Sequence, residues 1–253
     1  MLNNKSILIM GAGGLLGSRL VQESLKQQAT VIAADINVDA MQSRLEKLGV
    51  DIDNENVEFK QVNITDEVGV KAFFADLSDI DGAVNATYPR NKEYGKHFFD
   101  VSMSSFNENL SLHLGSAFLF TQQCAAWFKK KQTPLAVVNI SSIYGVIAPR
   151  FEVYNNTPMT MPVEYAAIKS ALLHLNKYII AYVNDSRFRV NAVSPGGIFD
   201  NQPEAFCNAY RSFTHGAGML DVSEIIGSIM FLLSDHSRYV TGQNIVVDDG
   251  FSL

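Results

Sequence analysis

Tyr165 and Lys169 stand one helical turn apart in the run Tyr165-Ala166-Ala167-Ile168-Lys169, a spacing that turns a phenol and an ammonium to the same side of a helix. A free phenol titrates near pH ~10 and is a poor base at neutral pH, but a neighbouring cation favours the phenolate and lowers that value. The pair therefore describes a general base. Upstream, Asn139-Ile140-Ser141-Ser142-Ile143-Tyr144-Gly145 ends an apolar run on two serines. A hydroxyl at such a strand end can hold a substrate oxygen against Tyr165. The chemistry so described is proton transfer at an oxygen.

A second group of residues is suited to holding a phosphate. Met10-Gly11-Ala12-Gly13-Gly14-Leu15-Leu16-Gly17 follows the apolar run Ser6-Ile7-Leu8-Ile9-Met10 and precedes the helically spaced stretch Ser18 to Leu25. Strand, glycine turn and helix start thus occur in the order of a dinucleotide-binding unit. Gly11, Gly14 and Gly17 suit a tight turn, close approach of backbone to pyrophosphate, and close helix-on-strand packing. Free N–H groups at the helix start, with Leu15 and Leu16 there, would take the pyrophosphate. The next strand, Thr30-Val31-Ile32-Ala33-Ala34, ends on Asp35, where a carboxylate accepts hydrogen bonds from the adenosine ribose and repels a 2′-phosphate. NAD is the cofactor this spacing predicts.

These groups need a scaffold, and the rest of the chain supplies one. Further strands are expected at Val57–Val62, Gly82–Ala86, Leu135–Ile140, Arg187–Val193 and Asn244–Val247, and helices at Phe106–Lys130, Val163–Asn184 and Val222–Leu233. Seven strands alternating with helices predict an α/β fold, a Rossmann-type doubly wound parallel sheet covered by helices on both faces. No repeat or linker interrupts the pattern, so residues 1–253 read as one domain. The irregular stretches Tyr88–Phe99, Gly145–Pro162 and Ile198–Gly218 follow strand C-terminal ends, the edge where open α/β sheets bind ligands.

Composition narrows the partners. The chain has 253 residues, 47% of them hydrophobic and 18% charged, enough for a large single core. Its net charge is −6 and its basic residues are scattered, apart from Lys129-Lys130-Lys131, which reads as a solvated helix end. Neither nucleic acid nor an anionic membrane is expected to bind. Cys124 and Cys207 give no metal-ligand spacing and fit a reducing compartment. No charged-then-apolar leader begins the chain, and no apolar stretch approaches the roughly 20 residues of a membrane span, so a soluble cytoplasmic protein is expected.

Taken together, the glycine turn, Asp35, Asn63-Ile64-Thr65-Asp66, Asn85-Ala86, the serine pair, Tyr165 with Lys169, Asn191-Ala192-Val193-Ser194-Pro195-Gly196-Gly197 and Tyr239-Val240-Thr241-Gly242-Gln243 resemble the short-chain dehydrogenase/reductase superfamily over nearly the whole chain. That resemblance implies an oxidoreductase interconverting an alcohol and a carbonyl with NAD. It implies Tyr165 as acid/base, Ser142 as the hydroxyl that polarises the reacting oxygen, and Lys169 as the group that lowers the tyrosine pKa and holds the nicotinamide ribose. Asn63 would meet the adenine edge beside the Ile64 backbone, Asn85 and Ala86 would line the cleft, and Pro195, Gly196 and Ile198 would border the nicotinamide. It further implies a homodimer or homotetramer paired through the helices at Phe106–Lys130 and Val163–Asn184.

Four features depart from the family pattern. Leu15 stands where a glycine is usual, Asp200 where a threonine is, and His113 where an asparagine relays protons. An imidazole can pass protons near neutral pH, so His113 joins the catalytic candidates. The segment between Ser142 and Tyr165 is also longer than usual, and must stand over the active site. That segment, with its Pro149-Arg150-Phe151, the Pro162-Val163-Glu164-Tyr165 approach and the loop Tyr88-Pro89-Arg90-Asn91 are similar to oxidoreductases of flagellin modification and surface-sugar biosynthesis. This narrower resemblance implies a sugar phosphate or nucleotide sugar as substrate. Its anion needs cationic partners, and Arg90, Arg150 and Arg211 lie on the three expected loops, Arg150 being the foremost. A reductase of a lipid-like or 3-oxoacyl carbonyl, and a non-catalytic NAD-binding scaffold, remain as alternatives.

Overall fold

The computed structural model describes residues 1–253. Seven parallel strands, β1 (Ser6–Met10), β2 (Thr30–Asp35), β3 (Val57–Gln61), β4 (Gly82–Asn85), β5 (Leu135–Ile140), β6 (Phe188–Pro195) and β7 (Asn244–Val247), form one sheet in the order β3-β2-β1-β4-β5-β6-β7. Between them run α1 (Leu15–Lys26), α2 (Val38–Lys47), α3 (Glu67–Ala75), α4 (Met103–Asn109), α5 (Ser116–Lys131), α6 (Val163–Val183), α7 (Glu204–Arg211) and α8 (Ser223–Leu233). Rossmann-type winding is thus the architecture. The central strands are near-continuous apolar runs because both faces of the sheet are covered. Ile7 and Ile9 point into one layer with Leu20, Met41 and Ile229, while Leu8 and Met10 point into the other with Phe74, Phe120 and Trp127.

Strand order reverses between β1 and β4, and the crevice that this creates at their C-terminal ends is where such sheets take ligands. Two glycines make the crevice possible. Gly11 has φ +87°, and a Cβ there would meet the Ala86 carbonyl at 2.9 Å; a Cβ on Gly17 would sit 2.0 Å from the Gly11 carbonyl oxygen. Asn37 and Asp66 start α2 and α3 by accepting from the N–H of Ala40 and Val68.

The structure departs from the sequence expectation in two places that bear on the site. The continuous helix expected over Phe106–Lys130 is broken by a π-helical turn at Leu110–Gly115, which separates α4 from α5 and carries His113. The stretch Ile198–Gly218, expected to be irregular, contains α7, whose Phe206 and Tyr210 are buried against the segment that precedes α6. Tertiary packing explains both: an extra residue per turn and a two-turn helix leave little periodic signal of their own.

Candidate active site

Helix α1 begins at Gly14 with no side-chain cap and no acidic residue in its first turn, so its leading N–H groups are left open to an anion. The crevice in front of it, about 320 Å³, is lined by Gly11, Gly14, Asp35, Asn63, Ile64, Ala86 and Tyr88 among others. At its far end the Asp35 carboxylate is oriented by two backbone donors, Gly13 N–H at 2.8 Å and Asn37 N–H at 3.2 Å. Backbone can approach a pyrophosphate only where no Cβ intervenes, and Gly11 and Gly17 supply that. These residues fit a dinucleotide: the glycine turn and the α1 N-terminus for its phosphates, and Asp35 for its ribose.

Other residues expected at the cofactor act more indirectly. Leu16 is buried and Leu15 packs on the same core layer, so only the backbone of this pair faces the crevice side of the turn. Asn63 and Asn85 each spend their side-chain oxygen on the turn they begin, accepting from Thr65 and Thr87 respectively, and Asn85 is buried. Gly196 N–H donates to Val247, Gly197 N–H donates to the Tyr210 hydroxyl at 2.6 Å, and Ile198 bridges Leu220, which fixes the strip beyond Pro195 to β7, to α7 and to the segment before α8. Asp200 is exposed and its N–H is taken by Gln202.

The proton-transfer group gathers where β5 meets α6. Ser141 donates to the Lys169 carbonyl at 2.9 Å and so ties strand to helix. Its neighbour Ser142 lies beside the Tyr165 phenol, close enough to draw its pKa down, and accepts from Tyr144 N–H. Lys169, 4% exposed, donates from Nζ to the Ile140 carbonyl at 2.7 Å, and Nζ lies 5.4 Å from the centre of the Tyr165 ring. Burial lowers the ammonium from its usual range to about 7. Burial likewise raises the Tyr165 phenol, with Ser142 pulling it back and Tyr144 adding to the rise. Desolvation is thus the largest influence on the phenol.

His113 is buried beneath this pair. Its Nε2 stands 3.3 Å from Lys169 Nζ, and its Nδ1 is buried without a protein partner. Burial, then the charges of Lys169 and Arg90, hold the imidazole down to about 2, so it is neutral. A neutral ring that accepts from the ammonium at Nε2 carries its own proton on Nδ1.

The three arginines are placed differently. Arg150 donates from Nη2 to the Leu253 carbonyl at 3.0 Å and lies over the rings of Phe213 and Phe251. Arg211 donates from Nε to the Gly216 carbonyl at 3.1 Å. Arg90 lies 4.8 Å from the ring centre of Tyr88, whose own edge meets Tyr165 at 5.7 Å and His113 at 5.0 Å. The sequence reading did not single out Tyr88, Tyr144, Tyr154 or Tyr210 as site residues. Tyr144 and Tyr154 pack with Tyr165 and Tyr210 in one apolar cluster under α7. Only Tyr88 had a local signal, its position directly past the end of β4.

Comparison with known proteins gives a consistent picture. A family model described as enoyl-(acyl carrier protein) reductase matches residues 12–252. The chain is 39% identical over 264 aligned residues, covering 100% of both proteins, to the post-translational flagellin modification protein A of Campylobacter coli. It is 26% identical over 258 residues to the 7alpha-hydroxysteroid dehydrogenase of Bacteroides fragilis, covering 99% of this chain and 95% of that one. Among solved structures, a short chain dehydrogenase from Leptospira borgpetersenii with bound NAD+ superposes with a TM-score of 0.85 at 32% identity, covering 100% of this chain and 94% of that one.

Proposed function

Because this chain belongs to the short-chain dehydrogenase/reductase superfamily and is an NAD-dependent oxidoreductase, we propose that it interconverts a secondary alcohol and a ketone on a phosphorylated or nucleotide-activated sugar. The work in question is bacterial surface-glycan biosynthesis of the flagellin-modification type. The observation that carries the reaction type is the contact of Ser142 with the Tyr165 phenol, with the Lys169 ammonium beside the same ring. Bound nicotinamide supplies hydride acceptance and return. The protein's own groups do the rest. Ser142 holds the substrate oxygen, Tyr165 as phenolate takes its proton in the oxidative direction and becomes the phenol, and Lys169 stabilises the phenolate that precedes this step.

His113 extends the path. Its Nε2 accepts from Lys169 Nζ and its Nδ1 carries the ring's own proton, so the imidazole stands next in line to the lysine. Gly11, Gly14, Gly17, Asp35, Asn63, Ile64, Asn85 and Ala86 shape the nucleotide side, and Pro195, Gly196 and Ile198 border the nicotinamide. The sugar reading is supported by the relative from flagellin modification.

A second reading, reduction of a 3-oxoacyl or lipid-like carbonyl, is favoured by the description of the matching family model. One assay separates the two. NADH absorbance is followed with NAD and a panel of sugars, sugar phosphates and nucleotide sugars, and its loss is followed with NADH and 3-oxoacyl thioesters. Turnover of a sugar phosphate or nucleotide sugar supports the first reading; turnover of thioesters alone replaces it.

A cytoplasmic homodimer or homotetramer suits this role. No helix is long and apolar enough to cross a membrane. An apolar groove between the π-helical turn and α6, with Phe118 and Tyr178 exposed beside Leu114 and Leu175, is the face on which a second copy would pack.

A further inference from the structure

The geometry points to Arg90, carried on the rings of Tyr88 and Tyr94, as the residue that recognises an oxyanion on the substrate, either a phosphate ester or a carboxylate. This rests on the dehydrogenase reading above and deepens it, by assigning the substrate's charge to one guanidinium.

Arg90 lies between two fixed points of chain. On one side the Asn85 side chain accepts from both Thr87 N–H and Thr87 Oγ1. On the other, Asn91 N–H donates to Asn109, and its Nδ2 donates to Ser105 and Glu108 on α4. The loop is therefore fastened to the body of the protein just before and just after the arginine. Within it the guanidinium carbon sits 4.8 Å from the Tyr88 ring centre and 5.9 Å from that of Tyr94, and the two tyrosine hydroxyls bond one another. A planar cation resting on two linked rings has its position set, with a donor toward the Tyr88 hydroxyl and the rest of its N–H fork available for two-pronged contact with a planar or tetrahedral oxyanion.

No carboxylate consumes those donors. Arg90 takes part in none of the salt bridges, although the chain has 26 Asp and Glu residues against 20 Lys and Arg. The acids nearest in sequence and space are engaged elsewhere: Glu93 with Lys96, Glu108 with Asn91, and Glu164 with Asn109. The other two arginines of the site region donate to backbone carbonyls, as described above. What joins Arg90 to the chemistry is its floor, since Tyr88 touches both Tyr165 and His113 edge to face. An oxyanion on Arg90 thus belongs to a molecule whose alcohol lies at Tyr165.

The test uses the NADH-loaded protein, in which the pyrophosphate cradle is filled. Inorganic phosphate and acetate are titrated by calorimetry at constant ionic strength into wild type, Arg90→Ala, Arg90→Lys and Arg238→Ala. Arg238 is also an exposed arginine over a tyrosine, Tyr239, and so controls for ring-stacked surface charge. Saturable binding of at least one oxyanion to wild type is expected, weakened about tenfold or more in Arg90→Ala, partly restored in Arg90→Lys and unchanged in Arg238→Ala. Whether phosphate or acetate binds tells an ester from a carboxylate. Affinities in Arg90→Ala within about twofold of wild type, or no saturable binding to wild type, overturn the assignment. Failure of NADH itself to bind instead overturns the dehydrogenase reading, so the two failures are distinct.

Discussion

Nζ of Lys169 lies 3.3 Å from Nε2 of His113, and both side chains are buried. The pair extends the proton path from Tyr165 inward to a ring nitrogen, Nδ1, that no other protein group meets. An asparagine can hold a water there but cannot exchange the proton itself. His113→Leu is therefore expected to lower kcat by about tenfold to a hundredfold with little change in KM for NAD, and His113→Asn to recover much of the loss. Solvent isotope effects on kcat check the assignment, since a purely structural role leaves them unchanged.

Lys169 carries a stability cost as well as a function. A shift from 10.5 to about 7, at about 1.4 kcal/mol per unit, sets that cost on the order of 5 kcal/mol. Below pH 7 the lysine is protonated in both folded and unfolded chains and the cost is present in full. Between about 7 and 10.5 the unfolded chain binds the additional proton, so stability rises with pH across that window. Replacing the lysine by an uncharged chain of similar size removes this term. Lys169→Met is expected to lose turnover, and its denaturation midpoint relative to wild type should be more favourable at pH 6 than at pH 9. Equal differences at the two pH values contradict the burial account.

Gly17 has no room for a side chain, because a Cβ there would come within 2.0 Å of the Gly11 carbonyl oxygen. Backbone must move to admit it, and the turn in front of α1 moves with it. Gly17→Ala is expected to weaken NADH binding by about a hundredfold and to destabilise the fold by about 2 kcal/mol. Titration of NADH fluorescence, with thermal unfolding alongside, measures both.

The strands were legible because their chemistry is local. Leu135–Ile140 is apolar at every position but Asn139 since both faces of β5 are covered, and Asp35 closes β2 where the ribose carboxylate is needed. The glycine turn was legible for the same reason: Gly14 and Gly17 both answer a steric demand made by the nearby Gly11 carbonyl. The tyrosine side of the site was not. Tyr88, Tyr144 and Tyr210 reach Tyr165 or its surroundings from three separate segments, Tyr210 from α7, and only the folded sheet brings these segments to one edge. The π-helical turn at Leu110–Gly115 and the lowered Lys169 are likewise products of packing, and neither leaves a periodic trace in the chain.

Asp35 governs cofactor choice by charge. Its carboxylate is held by the Gly13 and Asn37 N–H groups at the end of the crevice where the adenosine ribose lies in this family. Asp35→Asn keeps the shape and removes the like charge that a 2′-phosphate would face. The variant is expected to bind NADH about tenfold more weakly and NADPH about tenfold more tightly, narrowing the preference from both sides. Paired titrations with the two reduced cofactors test it.

The central claim is that the phenol oxygen of Tyr165, with Ser142 and Lys169 around it, moves the substrate proton. Tyr165→Phe keeps the ring, its packing against Tyr88 and the cofactor crevice, and removes only that oxygen. The most direct measurement is single-turnover hydride transfer in wild type and Tyr165→Phe, with NADH affinity measured on the same samples. The account expects the rate to fall by about a thousandfold or more while the NADH dissociation constant stays within about twofold. A variant that transfers hydride at close to the wild-type rate contradicts it.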